Sequence, residues 1–115
     1  VNDTYGHNAG DAVLKHVADI FSRNSRICDG VYRWGGEEFI VILPDTNLKG
    51  AADIAERMRN LVKDSVCHFE DLDIKVTMSF GCEELNPMKS IEDNIKEADE
   101  KLYKAKESGR NIVIV

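Results

Sequence analysis

Long apolar runs are missing from this chain. No stretch approaches the ~20 consecutive apolar residues that a membrane-spanning helix needs, and no charged-then-apolar leader opens the chain as given. The expectation is a cytoplasmic domain, with any membrane attachment left to a parent protein. Cysteine is scarce and odd in number: Cys28, Cys67 and Cys82 lack Cys-x-x-Cys spacing and fall in or beside apolar runs. That pattern suits buried thiols in a reducing compartment rather than a disulfide framework. A basic excess is also absent, since 15 Lys and Arg against 21 Asp and Glu give a net charge of −6. Broad binding to nucleic acid or to an anionic membrane, which needs a basic stripe, is therefore not expected, whereas a small metal-complexed anion remains compatible. Repeats, linkers and low-complexity stretches are lacking too. What is present, 43% hydrophobic and 31% charged residues over 115 positions, describes one soluble globular domain, of a size that buries about two-thirds of its unfolded surface.

The apolar residues recur in readable periods. From Asp11, Val13, Leu14, Val17, Ala18, Ile20 and Phe21 fall at three-and-four spacing opposite Lys15, His16 and Asp19, which predicts an amphipathic helix ending near Asn24. Gly30-Val31-Tyr32 and Phe39-Ile40-Val41-Ile42-Leu43 read as the arms of a hairpin. Pro44-Asp45-Thr46-Asn47 is a polar turn whose Asn47 can cap a second helix, from Leu48 to about Lys63, with Ala51, Ile54, Ala55, Met58, Leu61 and Val62 on its core face. Val66 to Phe69 and Ile74 to Phe80 read as a second antiparallel pair ended by Gly81. Ser90 can cap a third helix, with Ile91, Ile95, Ala98, Leu102, Tyr103 and Ala105 as its buried stripe and Gly109 as its stop. Ile112 to Val115 make a last strand. The order predicts an α+β fold, helices packed on a mostly antiparallel sheet.

The hairpin tip is the oddest part of the chain. In Arg33-Trp34-Gly35-Gly36-Glu37-Glu38-Phe39, two glycines stand between an aromatic residue and two acids. Glycine lets a bulky ligand approach the main chain, and adjacent carboxylates invite a divalent cation with oxygen ligands. An ordinary Gly-Gly turn followed by exposed acids is the plainer reading of the same run.

Four motifs in one order resemble the GGDEF domains, the diguanylate cyclases that condense two GTP molecules into cyclic di-GMP, and the likeness covers residues 1–115. They are Asn2-Asp3-x-Tyr5-Gly6-His7-x-x-Gly10-Asp11, Arg33 to Phe39 with Glu in the variable third place of the signature, Ser79-Phe80-Gly81, and Ala98-Asp99-x-x-Leu102-Tyr103-x-Ala105-Lys106-x-x-Gly109-Arg110-Asn111. The implied fold is the nucleotide-cyclase and polymerase-palm type with a ferredoxin-like core. The resemblance implies that Glu37 binds Mg²⁺, with Mn²⁺ the other fitting cation, and that Glu38 is a further metal ligand or orients the attacking ribose hydroxyl. Gly35 and Gly36 would leave room for phosphates, and Lys106 and Arg110, four apart at the end of the third helix, would grip them from the other side. Cations at a helix C-terminus are also placed there by the dipole. Asn2 and Asp11 would read guanine, although an acid at a helix start is favoured by the dipole as well. His7 is assigned a structural hydrogen bond in a glycine-rich turn.

Arg26-Ile27-Cys28-Asp29 lies five residues upstream of Gly35, where product-inhibited family members carry an Arg-x-x-Asp site for cyclic di-GMP. Arg57 would supply a second arginine to that ligand. A plain loop ion pair is the other reading of Arg26 and Asp29. Family members also carry, just before the Asn-Asp motif, a central strand ending in Asp-x-Asp-x-Phe-Lys. With the chain opening at Val1, that first central strand is expected to be missing, together with a metal carboxylate, so the chain is read as an N-terminally truncated domain. Catalysis would need a homodimer, two GTP molecules, and in the parent protein an N-terminal sensory or receiver domain. The alternative is an inactive domain that serves as a receptor for cyclic di-GMP or GTP.

Overall fold

Three helices and six short strands form among the described residues, in an α+β arrangement. The computed structural model describes the backbone of residues 2–35 and 37–115 and the side chains of residues 8–35 and 37–115. It divides into two units: one holds the residues up to Pro44 with Leu61–Val76, the other Asp45–Asn60 with Thr77–Val115. No helix among the described residues is long and apolar enough to cross a membrane.

In the first unit, α1 (Asn2–Arg23) begins well before the Asp11 start that periodicity predicts. The Asn2–Gly10 stretch, read from its glycines as a turn, is helical. A glycine in a helix interior costs only about 1 kcal/mol, and this stretch carries a buried residue, Ala9, on the helix. Ala9 is fully buried in a cluster with Cys67 and Ile74, flanked by Ala12, Val13, Phe69, Leu72 and Val76. Further along α1, Val17 and Phe21 are buried, each burial being worth about 1.5–3 kcal/mol.

Strands β1 (Gly30–Arg33) and β2 (Phe39–Ile42) pair antiparallel, from Gly30 opposite Ile42 to Arg33 opposite Phe39. The Phe39 ring meets Phe21 edge-on, with centroids 5.6 Å apart and planes at 84°, an arrangement that aromatic quadrupoles favour. This contact anchors the arm that leads out of the hairpin tip. A second hairpin joins β3 (Cys67–Phe69) to β4 (Leu72–Ile74). Its second arm therefore comes earlier than the Ile74–Phe80 expected. Glu70, at φ 53°, turns the chain tightly, so Leu72-Asp73-Ile74 already alternates half-buried, exposed, buried. Asp73 is an outward strand residue bonded to His68 Nδ1 at 2.7 Å, not part of the turn.

Helix α2 (Leu48–Asp64) starts in the second unit, and its residues from Leu61 belong to the first. Asn47 caps it as predicted: its Oδ1 accepts from the Gly50 N–H at 2.8 Å, while Glu84 Oε1 accepts from the Leu48 N–H at 2.9 Å. Two orphan amides of the first turn are thereby satisfied. Ala55, Met58 and Val62 are the buried positions of its stripe.

The rest of the second unit is a strand, a helix and a parallel strand. β5 (Phe80–Gly81) and β6 (Val113–Ile114) pair parallel, and α3 (Ile91–Glu107) is the crossover between them, as parallel pairing requires. Ser90 caps α3, its side chain accepting from the Asp93 N–H at 3.0 Å. The predicted stripe of α3 is only partly inward: Ala105 is fully buried, but Ile91 and Tyr103 are 71% and 63% exposed. Asn94, not counted among core positions from sequence, is buried instead. It accepts from the Asn86 N–H and donates to the carbonyls of Asn86 and Ser90, holding the loop before the helix. Gly81 lies against α3 so closely that a Cβ there would stand 2.3 Å from Leu102 N and 2.4 Å from Ala98 O.

Candidate functional site

The tip of the first hairpin holds the residues with the strongest chemistry. Beyond the Arg33–Phe39 pair the ladder continues for one more step, the Trp34 N–H donating to Glu38 O at 2.8 Å and the Gly35 N–H reaching the same oxygen at 3.4 Å. Gly35 and Glu37 are exposed and Glu38 is half-buried. Gly36 lies outside the described residues, as does the side chain of Asn2.

Nothing among the described residues requires Gly35 to be glycine. A Cβ built there meets no described atom within 4 Å outside its two chain neighbours, and Gly35 is not among the residues with positive φ. Neither packing nor backbone conformation demands the missing side chain, in contrast to Gly81. Two carboxylates, of Glu37 and Glu38, follow two and three positions further along the chain. Among the described residues no group of three or more His, Cys, Asp or Glu side chains forms a cradle for a metal. Mg²⁺ does not require one: it usually takes one or two carboxylates and completes its shell with water and substrate phosphates. Glu37 and Glu38 fit that donor set.

Asp11 is exposed on α1 and lies within the helix, well past its first turn. The dipole reading, which needs a helix start at Asp11, does not hold, because the effect fades beyond the first turn.

In the second unit, Lys106 is in the last turn of α3, but Arg110 is not on the helix. The helix ends at Glu107 with Ser108 as cap. Gly109 follows at φ 107°, and the Arg110 N–H returns to Ala105 O at 3.0 Å, the long bond of a Schellman ending. Lys106 and Arg110 therefore do not share a helix face as the four-residue spacing suggested. Arg110 and Asn111 have φ of 65° and 51°, a left-handed region that non-glycine residues enter at a cost of about 1–2 kcal/mol each. Missed from sequence was Arg59 on α2: its Nη1 donates to Asn111 Oδ1 at 2.8 Å and reaches Asn111 O at 3.4 Å.

Arg26 and Asp29 come together within the first unit. The Arg26 N–H donates to Asp29 Oδ2 at 2.8 Å, its Nη2 lies 2.9 Å from Asp29 Oδ1, and Nη2 also donates to Pro44 O at 3.0 Å. The Asp29 side chain is only 3% exposed, and the Arg26 guanidinium hydrogen bond holds its carboxyl below the usual carboxylate range, against the opposing effect of burial. The plain ion pair is thus formed, with the Arg26 side chain half-exposed. Arg57 is exposed on the part of α2 that belongs to the other unit.

A family profile described as "Diguanylate cyclase, GGDEF domain" matches residues 1–112. The chain belongs to the GGDEF domain family. Diguanylate cyclase A of Treponema denticola is 42% identical over 114 residues, 98% of this chain and 31% of that protein. Response regulator PleD of Caulobacter vibrioides is 44% identical over 118 residues, 99% of this chain and 26% of that protein. The GGDEF domain thus spans less than a third of the length of these curated relatives. Among solved structures, the GGDEF domain of DgcB from Caulobacter crescentus in complex with cyclic di-GMP superposes with a TM-score of 0.91 at 34% identity, over 98% of this chain and 66% of that one. The active GGEEF domain of a diguanylate cyclase from Vibrio cholerae gives 0.84 at 32%, over 98% and 72%.

Proposed function

We propose that this GGDEF domain is the catalytic domain of a diguanylate cyclase. Each domain of a homodimer holds one GTP, and the 3′-hydroxyl of each nucleotide attacks the α-phosphate of the other. In each half-reaction a phosphodiester forms, the bond to pyrophosphate breaks and the hydroxyl proton departs. Two pyrophosphates leave, and the product is cyclic di-GMP. The observation that carries this reading is Gly35, open toward solvent with neither packing nor conformation to require it, next to Glu37 and Glu38.

Each residue has a part. The lack of side chains at Gly35 and Gly36 lets the triphosphate lie close. Lys106 and Arg110 neutralise its oxygens, the guanidinium offering paired donors. Asn2 and Asp11 read guanine, since a carboxylate accepts from the N1–H and 2-amino group that adenine lacks. Glu37 and Glu38 would hold Mg²⁺ or Mn²⁺, which when bound supplies charge neutralisation at the phosphates. Glu38 also orients the attacking hydroxyl. Catalysis is then mostly positioning and electrostatics, with little covalent work for the protein.

Glutamate in the variable signature place is compatible with activity, as the active GGEEF domain from Vibrio cholerae supports. Product inhibition is assigned to Arg26 and Asp29 with Arg57 as a second arginine. Their mutual ion pair opens so that the guanidinium takes a phosphate or a guanine face of cyclic di-GMP, a use to which arginine is suited. A sensory or receiver domain at the N-terminal side of the parent protein would drive dimerisation.

The test is incubation with GTP and Mg²⁺ of this chain, of a version extended N-terminally through an Asp-x-Asp-x-Phe-Lys strand, and of the extended version carrying Glu38→Ala. The extended wild type is expected to make cyclic di-GMP, and Glu38→Ala to abolish synthesis. If the extended protein binds cyclic di-GMP and makes none, a receptor role replaces the enzyme.

A further inference from the structure

We infer that Arg59 is a positioning residue for Arg110, fixing the backbone from which Arg110 reaches the GTP phosphates. This rests on the cyclase reading and adds to it a residue that no motif contains.

Gly109, Arg110 and Asn111 form three consecutive residues with positive φ, at 107°, 65° and 51°. Glycine enters that region freely, but Arg110 and Asn111 stay there only where the surroundings over-determine them. The direction in which Arg110 leaves the main chain is set by its φ and ψ, so whatever holds this bend aims its guanidinium. The Schellman bond from the Arg110 N–H to Ala105 O ties the bend to α3. Two side chains grip it on the far side. Ser79 Oγ accepts from the Asn111 N–H at 3.0 Å. Arg59 Nη1 donates to Asn111 Oδ1 at 2.8 Å and approaches Asn111 O at 3.4 Å. The carbonyl and the side chain of one left-handed residue therefore converge on a single guanidinium nitrogen.

Arg59 is itself held. Its side chain is only 16% exposed and forms an ion pair with Glu56, one turn back on α2, through Nη2 and through Nε at 3.2 Å. Nη2 also lies 3.4 Å from Asn60 Oδ1. A planar fork with five donors can serve acid, amide and carbonyl together, whereas a lysine ammonium offers one point charge. Beyond Asn111 the chain enters β6, where the Phe80 N–H donates to Ile112 O at 2.9 Å. Loss of the Arg59 grip would release the bend between the end of α3 and that ladder, and Arg110 would sample several directions.

The experiment measures GTP affinity by calorimetry with Mg²⁺, and guanosine affinity by ligand-observed NMR, on the full-length protein as wild type, Arg59→Ala, Arg110→Ala and the double variant. Arg59→Ala is expected to weaken GTP about tenfold, within what misplacement of a positioning group costs, while guanosine changes less than about twofold because it carries no phosphate. Arg59→Ala should add nothing on top of Arg110→Ala, as expected of residues acting through one contact. Should Arg59→Ala melt early, Asn111→Gly serves: it keeps the left-handed backbone accessible, deletes the acceptor, and should show the same selectivity for GTP. Equal weakening of GTP and guanosine, or losses that add in the double variant while Arg110→Ala alone weakens GTP, would overturn the inference. A wild type that binds no GTP overturns the cyclase reading itself and this inference with it.

Discussion

Replacing Gly35 by alanine separates a glycine kept for a ligand from one kept for the fold. Among the described residues the new Cβ meets no atom within 4 Å outside its chain neighbours, and Gly35 does not have positive φ. Folding should therefore not suffer. Reduced freedom of the unfolded chain stabilises a compatible Gly→Ala change by about 0.4–1 kcal/mol. For a domain of this size that corresponds to a rise in melting temperature of roughly 2–5 °C. Affinity for GTP with Mg²⁺ should move the opposite way, because the methyl group would occupy the space that the proposed mechanism gives to phosphate oxygens. A displacement of about 1 Å at such a centre costs on the order of 10–100-fold. Differential scanning fluorimetry without nucleotide and calorimetry with GTP, run on the same preparations, read the two effects apart. A lowered melting temperature would show that the glycine serves the fold. Unchanged GTP affinity would remove the triphosphate from the hairpin tip, and the proposed mechanism with it.

Gly81→Ala should do the reverse, because its Cβ would stand 2.3 Å from Leu102 N and 2.4 Å from Ala98 O, both backbone atoms of α3 that cannot move aside. Chemical denaturation should show a loss of at least about 1–3 kcal/mol, and an unchanged midpoint would mean that β5 does not lie against α3. The Asp29 carboxyl has a folded pKa depressed below its ordinary 3.8 by the Arg26 hydrogen bond, so its contribution to stability is present above 3.8 and is lost as pH falls through the folded value. A carboxyl NMR titration should find Asp29 below 3.8 in the wild type and back near it in Arg26→Ala, and a wild-type value at or above 3.8 would refute the pair. Burial pushes the Cys67 and Cys82 thiols above their ordinary 9.0, while Cys28 is exposed. A thiol reagent at neutral pH should label Cys28 in the folded protein and reach the other two only on unfolding, and prompt labelling of Cys67 would contradict the packing of α1 on the second hairpin.

Where side-chain period and cap agree, the sequence is a sufficient guide. Asn47 before α2 and Ser90 before α3 were legible because a short polar side chain must satisfy the first free amides of a helix wherever an apolar stripe begins, and the structure makes both bonds. The hairpin arms around the glycine pair were legible for the same local reason. What escaped depended on backbone turns and on partners that periodicity does not encode. Asp73 looks like turn chemistry until Glu70 takes a left-handed turn and sets Leu72 and Ile74 inward. The parallel pairing of β5 with β6 involves residues more than thirty positions apart and leaves no trace in either two-residue strand. Ile91 and Tyr103 fit the period of α3, yet the core takes Asn94, because the loop ahead of the helix needs its three bonding groups more than it needs an apolar contact.

The candidate site divides along the same line. Glu37 and Glu38 are suggested by residue type, since adjacent acids beside glycines fit an oxygen-bound cation, while an ordinary Gly-Gly turn is the plainer reading of the run taken alone. Arg59 carries no such signal: an arginine on an amphipathic helix, one residue past a buried methionine, reads as solvated surface. Only the positions of Asn111 Oδ1 and O show that it has a target. The glycines make the point most sharply, for Gly35 at a hairpin tip and Gly81 at the end of a strand each belong to a family motif. One is required by the backbone of α3 and the other by nothing among the described residues outside its own chain neighbours. In the proposed reading, a glycine that the described residues do not require is one that a bound triphosphate requires. Opposite stability responses to the same Gly→Ala change at the two positions would establish that difference in a single pair of melts.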